Sequence, residues 1–289
     1  MKTKFIVNPI SGKNKQKNIE KILDRYLNKN RFKYDISYTK KKLHAKEIAE
    51  QAIKDNYKII ISVGGDGTLN EITSRMIGKN VIVGVIPAGS GNGFAFHFNI
   101  HYNIIKAVKQ LNSSKIKEID SATANGMTFI NVSGIGFDAY IAKLFSISNE
   151  RGFLNYIKLI FKNLGYKPHD YTIEYNNKKR KINAILISFA NASQYGNNFK
   201  ISPNAKTDDG LLDFVIINNM PRWNIPFFLI KIARGKIQNS RFVEIIKAKN
   251  MKIISNEDII HLDGEPKSIK NDLTVKIQPK SLKILVPNE

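Results

Sequence analysis

Apolar, largely β-branched runs at residues 5–8, 34–38, 58–63 and 81–86 have the length of strands. Between them lie stretches with apolar residues at helical spacing, such as 45–54 with Ile48, Ala49, Ala52 and Ile53, and 69–77. Strand–helix alternation needs crossover connections, so it predicts a parallel sheet with helices on both faces. Residues 81–100 contain no Asp, Glu, Lys or Arg, as suits central parallel strands buried on both sides. Beyond about residue 120 the pattern changes. Runs at 129–132, 171–175, 182–189, 211–217, 251–255, 259–262, 273–277 and 282–286 read as strands. Most are joined by turn-like pairs such as Asn176-Asn177, Asp209-Gly210 and Asp263-Gly264, with helical insertions near 140–164 and 223–234. The expected organisation is an α/β domain over residues 1–122 and a β domain over 123–289, whose last strand could return to the first domain.

Composition narrows the chemistry. The 289 residues carry 46 Lys+Arg against 24 Asp+Glu, a formal charge of +22, and no cysteine. Without cysteine there is no disulfide framework, thiolate nucleophile, iron–sulfur cluster or cysteine-based zinc site. The five histidines show no metal-ligand spacing, so zinc is not expected. The positive charge is spread along the chain and does not form a detachable tail, and it suggests a polyanion: nucleic acid, an anionic membrane surface or phosphate-bearing substrates. The apolar run Phe5-Ile6-Val7 is too short for a signal-peptide core. No stretch reaches the roughly 18 apolar residues of a membrane span, and the most apolar ones, 153–161 and 223–233, each contain a lysine. A cytoplasmic protein is expected.

The strongest local feature is Ile59-Ile-Ile-Ser-Val-Gly-Gly-Asp-Gly-Thr-Leu-Asn-Glu71, a buried-type strand that runs into Gly64, Gly65 and Gly67 and then a helix. Thr68 and Glu71 stand three apart, the spacing of a capping box. Glycines there allow close backbone approach, and the N–H groups of a helix start attract phosphate. It is not a Walker loop, because the Gly-Lys-Ser/Thr ending is missing. Asp66 would repel phosphate unless it serves a metal or a hydroxyl. A second glycine-rich turn, Pro87-Ala-Gly-Ser-Gly-Asn-Gly-Phe-Ala95, follows the next strand; the two turns would lie side by side at the carboxyl edge of the sheet, where open α/β folds bind ligands. Gly134-Ile-Gly-Phe-Asp-Ala139 meets the loose dinucleotide pattern, but the strand–helix–strand continuation is absent, which leaves a packing turn as the simpler reading. Asp263 and Glu265 fall on the same side of an extended segment, where they could hold a metal or take a proton.

Taken in order, Val63-Gly-Gly-Asp-Gly-Thr-Leu-Asn-Glu71, Gly89-Ser-Gly-Asn-Gly-Phe-Ala95, Gly134-Ile-Gly-Phe-Asp138, Asp209-Gly-Leu-Leu-Asp213 and Leu262-Asp-Gly-Glu265 resemble the diacylglycerol kinase/sphingosine kinase family of lipid kinases. The opening Asn8-Pro-Ile-Ser-Gly12 and the pair Thr39 and His44-Ala45 extend the resemblance over essentially the whole chain. The resemblance implies a three-layer α/β nucleotide-binding domain, shared in type with NAD kinases, a C-terminal β-sandwich and an active site in the cleft. It also implies ATP and Mg²⁺ as cofactors. Asn8, Thr39, the loop Gly64, Gly65, Asp66, Gly67, Thr68 and Asn70, and Ser90 would bind ATP. Asp263 would accept the proton of a lipid hydroxyl, Glu265 and Asp66 would position catalytic Mg²⁺ with Asp120 linked through water, and Asp138 would lie near the lipid headgroup. A structural Mg²⁺ would sit on the Asp209 carboxylate with backbone oxygens of Lys206 and Leu211. The expected partner is a lipid at an anionic membrane surface on the inner face, with no nucleic acid; a homodimer is compatible with this reading. Where many bacterial relatives have an acidic residue and an Arg, this chain has Gly93 and Phe96, and its Gly-Ser-Gly-Asn is similar to the sphingosine-kinase branch. The substrate is therefore not inherited from diacylglycerol kinases, and a soluble-substrate kinase resembling NAD kinase is the alternative.

Overall fold

Alternating strands and helices fill the first part of the chain: β1 (Lys2–Val7), α1 (Ile19–Tyr26), β2 (Lys33–Tyr38), α2 (His44–Lys54), β3 (Ile59–Gly64), α3 (Asp66–Met76), β4 (Ile82–Pro87), α4 (Gly93–His97), α5 (Ile104–Asn112) and β5 (Lys115–Ala124). The structure is a computed structural model that describes every residue except Lys15, Asn149, Arg151, Asn271 and Glu289. It divides into two units, residues 1–119 with 280–289, and residues 120–279.

In the first unit β1 pairs in parallel with both β2 and β3, and β3 pairs in parallel with β4. β3 is buried along its whole length, with Ile59, Ile60 and Ile61 fully enclosed, as a central strand between two helix layers must be. α2 packs on α3 and α1 on α5. The helix ends carry Lys54, Arg75 and Lys109 in their last turns, cations that complement the helix dipole. Because the chain steps from β1 outward to β2 and then back past β1 to β3, the order reverses between β1 and β3. That reversal opens a crevice at the carboxyl ends of these strands.

The second unit is built from β6 (Met127–Phe129), β7 (Val132–Gly136), α6 (Phe137–Ile147), α7 (Phe153–Lys162), β8 (His169–Tyr175), β9 (Lys178–Ala190), β10 (Leu212–Asn218), α8 (Ile225–Ala233), β11 (Val243–Ala248), β12 (Asn250–Ile254), β13 (Ile259–Leu262) and β14 (Glu265–Ser268). A final strand, β15 (Leu273–Val286), pairs antiparallel with β12 through residues 273–276 and parallel with β4 through Lys283 and Ile284, so its end belongs to the first unit. β9 organises the unit. Its first half pairs with β8, and its second half is flanked by β7 on one side and β10 on the other, all antiparallel. The main core runs through Phe129, Phe189 and Phe214, with ring centroids 5.6 Å and 6.5 Å apart, and through Ile253, Val275 and Tyr171. A second apolar cluster of Val215, Ile217, Met220, Ile237, Phe228 and Ile232 seats α8.

Phe189 is fully buried between the other two rings, so Phe189→Ala leaves a cavity that neighbouring side chains cannot fill. The expected loss is about 3–5 kcal/mol of unfolding free energy, read by denaturant titration with a probe of the second unit.

Candidate functional site

The carboxyl edge of the first unit's sheet gathers the residues that the motifs single out. Register places Asn8 after Val7, Thr39 after Tyr38, and Gly64 opposite Pro87. Thr39 N–H donates to the Val7 carbonyl at 2.9 Å, and Asn8 Nδ2 donates to Thr68 Oγ1 at 3.0 Å. Asn8 Oδ1 accepts from Ile10 N at 3.1 Å, so its amide spans the gap from β1 to the start of α3.

The two glycine-rich turns lie against each other. Ala88 N and Gly89 N donate to the Gly64 carbonyl at 2.8 Å and 3.2 Å. A Cβ on Gly65 would stand 3.2 Å from the Gly89 Cα, and one on Gly89 only 2.5 Å from the Gly65 Cα. Gly12, at φ +53°, is tighter still, since its Cβ would meet the Ala88 carbonyl oxygen at 1.6 Å. These glycines are required first by backbone packing on backbone. The product is a bare, rigid rim of main chain at the N-terminus of an 11-residue helix, where the first N–H groups and the helix dipole favour an anion.

Asp66 occupies the first turn of α3, and its carboxylate reaches the other loop, with Oδ2 accepting from Gly93 N at 3.2 Å and Oδ1 from Phe94 N at 3.3 Å. The acid thus caps α4 and ties the two turns together, which explains how a carboxylate sits in an anion-binding rim. Asn92, at φ +54°, closes the second turn on itself: its Oδ1 accepts from Gly89 N at 3.0 Å and its Nδ2 donates to the Gly89 carbonyl at 2.8 Å. Ser90 stays exposed at the tip. The capping box expected from Thr68 and Glu71 does not form. Gly65 is the N-cap, Thr68 turns to Asn8, and the Glu71 carboxylate accepts from Leu43 N (3.0 Å) and Ala45 N (3.2 Å), capping α2 instead. The α2–α3 packing brings a helix start within reach of Glu71, and two backbone donors from another element outcompete one from its own.

In the second unit Asp263 and Gly264 form the two-residue turn between β13 and β14, with φ +49° and +88°, as an Asp-Gly hairpin of type I′ demands. The Asp263 side chain points inward and is nearly buried, with Oδ2 accepting from Ile130 N at 3.0 Å and Oδ1 from Asn131 N at 2.9 Å. Its own N–H donates to Ser133 Oγ at 3.1 Å. Glu265 stands opposite Leu262 at the start of β14. Asn191, fully buried, donates from Nδ2 to both the Ile130 carbonyl (2.8 Å) and the Asp120 carbonyl (3.0 Å), which fixes the segment that holds Asp263.

Asp138 is the centre of a buried cluster. Its Oδ2 accepts from Ser188 Oγ at 3.0 Å and Tyr195 OH at 3.0 Å and lies 3.1 Å from His261 Nε2. Gly134 makes room for it, since a Cβ there would meet Asp138 Oδ2 at 2.2 Å; the Gly-x-Gly-x-x-Ala stretch is therefore a strand–helix packing turn filled by its own acid. His261 Nδ1 accepts from Gly264 N at 3.2 Å, which leaves the ring proton on Nε2, aimed at Asp138. The Asp263 hairpin and the Asp138 cluster are thereby joined through one imidazole. Burial, reinforced by the Asp138 charge, raises the Tyr195 phenol well above its ordinary value, and burial does the same for Tyr156 and Tyr171. These phenols remain neutral; Tyr195 donates to Asp138, whereas the buried Tyr171 hydroxyl has no hydrogen-bond partner. Sequence reading missed Ser188, Tyr195, Asn191 and the role of His261; only His261, two residues before Asp263 on the same strand face, left a signal.

Asp120 is fully buried. Its N–H donates to the Thr207 carbonyl and its Oδ2 accepts from Gly210 N at 2.8 Å, in the loop that carries Lys206, Asp209 and Leu211. Asp209 Oδ1 accepts from Leu211 N at 3.1 Å. Lys247 lies 2.9 Å from Asp213 and 3.6 Å from Asp209; burial alone would lower its pKa, but Asp213 and then Asp209 raise it above the usual lysine value. Thr207 Oγ1 in this loop is buried with no hydrogen-bond partner. Among the described residues no three His, Asp or Glu side chains cluster as a metal site.

Residues 2–124 match the family model of the diacylglycerol kinase catalytic domain, and residues 131–286 that of the YegS C-terminal NAD kinase beta sandwich-like domain. A diacylglycerol kinase of Staphylococcus saprophyticus subsp. saprophyticus is 27% identical over 298 residues, covering 100% of this chain and 96% of its own. One from Staphylococcus aureus is 28% identical over 274 residues, covering 91% and 86%. Two solved chains from Bacillus anthracis str. Sterne share the fold, with TM-scores of 0.82 and 0.77 at 24% and 23% identity, and each alignment covers 99% of this chain and 97% of the other. The second is described as a diacylglycerol kinase.

A methyl group on Gly89 would press on the Gly65 backbone, 2.5 Å from its Cα, and on Asn92 Oδ1 at 2.9 Å. Gly89→Ala is expected to lower the unfolding free energy by about 1–3 kcal/mol, measured by denaturant titration, because the two turns must part.

Proposed function

The chain belongs to the diacylglycerol kinase family, and on that premise we propose that it transfers the γ-phosphoryl group of ATP, with Mg²⁺, to the hydroxyl of a membrane lipid: diacylglycerol, a sphingoid base or another lipid alcohol. The observation that carries the reading is the pair of glycine-rich turns closed on each other at the start of α3. Asn8, Thr39, Ser90 and the segment Gly64, Gly65, Asp66, Gly67, Thr68 and Asn70 border that rim and would hold the nucleotide, with main-chain N–H groups directed at its phosphates.

Asp263 is the base of the proposed reaction. As the lipid oxygen bonds to the γ-phosphorus and the bond to the β-phosphate oxygen breaks, the hydroxyl proton passes to the carboxylate and ADP leaves. Phosphoryl transfer asks mainly for alignment and charge neutralisation, so a weak base that takes its proton late suffices. Two backbone N–H groups on its oxygens suit that task, since they fix the direction from which the proton is received. Asp138 faces the headgroup, held ready by Ser188, Tyr195 and His261.

Mg²⁺ is a hard cation that prefers oxygen, and on this reading the carboxylates of Asp66, Glu265 and Asp120 would serve the catalytic ion, and Asp209 with the Lys206 and Leu211 carbonyls a structural one. The unpartnered buried Thr207 hydroxyl adds an oxygen to the second group. When bound, the ion would offset the charge of the β- and γ-phosphates. No helix is long and apolar enough to cross a membrane among the described residues, so the lipid would be met by peripheral contact, and we place that contact at the cytoplasmic face.

The test is incubation with Mg-[γ-³²P]ATP and diacylglycerol, monoacylglycerol, sphingosine, ceramide or undecaprenol, with NAD in a parallel arm. Label in a lipid extract is expected. Label in NAD alone would assign the chain to soluble-substrate kinases, and label in neither would overturn the kinase reading. Asp66→Asn and Asp263→Asn are expected to cut turnover by at least about 10²–10⁴ while each variant still unfolds cooperatively. In Asp263→Asn an NH₂ group must face the N–H of Ile130 or Asn131, so a stability loss of about 1–3 kcal/mol should accompany the lost activity. Wild-type turnover in either folded variant would remove that residue from the mechanism.

A further inference from the structure

The short 3₁₀ turn Arg222–Asn224 and α8 present two opposed stripes. Phe228 and Ile232 are buried in the apolar cluster with Val215, Ile217 and Met220. On the other stripe Trp223, Phe227 and Ile230 succeed one another at spacings of four and three, with 74%, 66% and 48% of their surface exposed. One exposed apolar residue is ordinary; three large ones in a row on a helix already seated by its other face form an unpartnered patch.

The charge around the patch says what covers it. Arg222, Lys231, Arg234, Lys236 and Arg241 lie between Asp213 and Glu244, and no acidic residue interrupts them. Arg234 continues the exposed stripe one turn beyond Ile230, and Arg222, Arg234 and Lys236 are exposed, with no ion pair among the described residues. The guanidinium of Arg222 lies 3.5 Å from where a Gly165 Cβ would be, so the patch begins beside the segment that follows α7, itself bearing the exposed Leu154 and Phe161. An aromatic and aliphatic stripe rimmed by unpaired cations matches the boundary of an anionic bilayer, where apolar side chains enter the acyl region, cations meet lipid phosphates, and a Trp ring sits at headgroup depth.

We infer that the Trp223–Phe227–Ile230 face of α8 docks the protein on an anionic lipid bilayer. The inference rests on the lipid-kinase reading only in naming why the protein would visit a membrane; the contact itself is independent of catalysis. Depth of insertion should be shallow, because the helix keeps its other stripe in the core.

Trp223 is the only tryptophan of the chain, so its fluorescence reports this face alone. The full chain is titrated with vesicles of phosphatidylglycerol and phosphatidylcholine, and with phosphatidylcholine alone. With the anionic vesicles a blue shift and quenching by bromoacyl lipid are expected, both reduced in 1 M NaCl. Phe227→Ser with Ile230→Ser, which keeps the probe, should weaken partitioning about tenfold or more, and Arg234→Glu with Lys236→Glu should abolish the preference for anionic vesicles. Both pairs are exposed or half-exposed, and unchanged circular dichroism and thermal unfolding should accompany the loss.

Vesicle binding that leaves the Trp223 emission unchanged would overturn the inference by placing the contact on another face. So would a concentration-dependent blue shift without lipid together with a dimer by light scattering, which would give the face to a second copy of the chain. Kinase activity is assayed separately on a short-chain, water-dispersed diacylglycerol. Insertion without activity counts against the lipid-kinase reading; activity with Trp223 still in water counts against the docking face.

Discussion

The nucleotide half of the proposed chemistry depends on a contact with no side chain in it. Gly65 and Gly89 approach so closely that even a methyl group would force the backbone apart, and Gly12 is pressed on Ala88 in the same manner. Main chain packed on main chain fixes the start of α3 with no flexible side chain between the turns, and the N–H groups of a helix start are what a rim for polyphosphate needs. The Asp66 and Asn92 contacts follow from this closeness. Asp66 can cap α4 only because the two turns touch, and Asn92 can fold back on Gly89 only because its αL backbone turns it inward.

The second unit solves a different problem, how to hold a carboxylate still at a hairpin tip, where side chains ordinarily wave in water. A type I′ turn positions Asp263 Cα, and two N–H groups of the segment after β6 seize the carboxylate. The donor on Gly264 then dictates the tautomer of His261. Since a backbone N–H can only donate, Nδ1 must accept, and the proton that remains on Nε2 is committed to Asp138. Asp138 and the Asp263 hairpin are thus linked through the two nitrogens of one ring.

Strand–helix alternation and the two glycine turns were legible because each is written locally: period, β-branching and glycine spacing do not depend on what packs against them. The Asp263-Gly264 hairpin was legible for the same reason, since Asp-Gly tolerates the positive φ at both positions. The capping box failed because Glu71 is close in sequence to one helix start and close in space to another, and only the packing of α2 on α3 decides between them. Ser188, Tyr195 and Asn191 come from β9 and the segment after it, 50, 57 and 71 residues from the Asp138 or Asp120 they meet, and isolated Ser, Tyr and Asn in a strand pattern carry no mark of the acid or carbonyl they will meet. The α8 stripe lay in between: its apolar content was visible, but which half faces outward is set by the cluster beneath it.

Charge connects these pieces. A chain at +22 repels its own copies, and a face lined by Arg222, Arg234 and Lys236 without acidic neighbours repels them most where it is apolar. Self-association over α8 would bury Trp223 and Phe227 at the cost of opposing like charges. An anionic bilayer removes the same apolar surface from water and neutralises the same cations, so hydrophobic and electrostatic terms act in one direction. Spread over the rest of the surface, the positive field favours anions in general, and the start of α3 adds the directed N–H groups that a diffuse field lacks. General attraction favours anions over the whole surface, and the backbone geometry of the two turns gives that attraction a direction at the sheet edge.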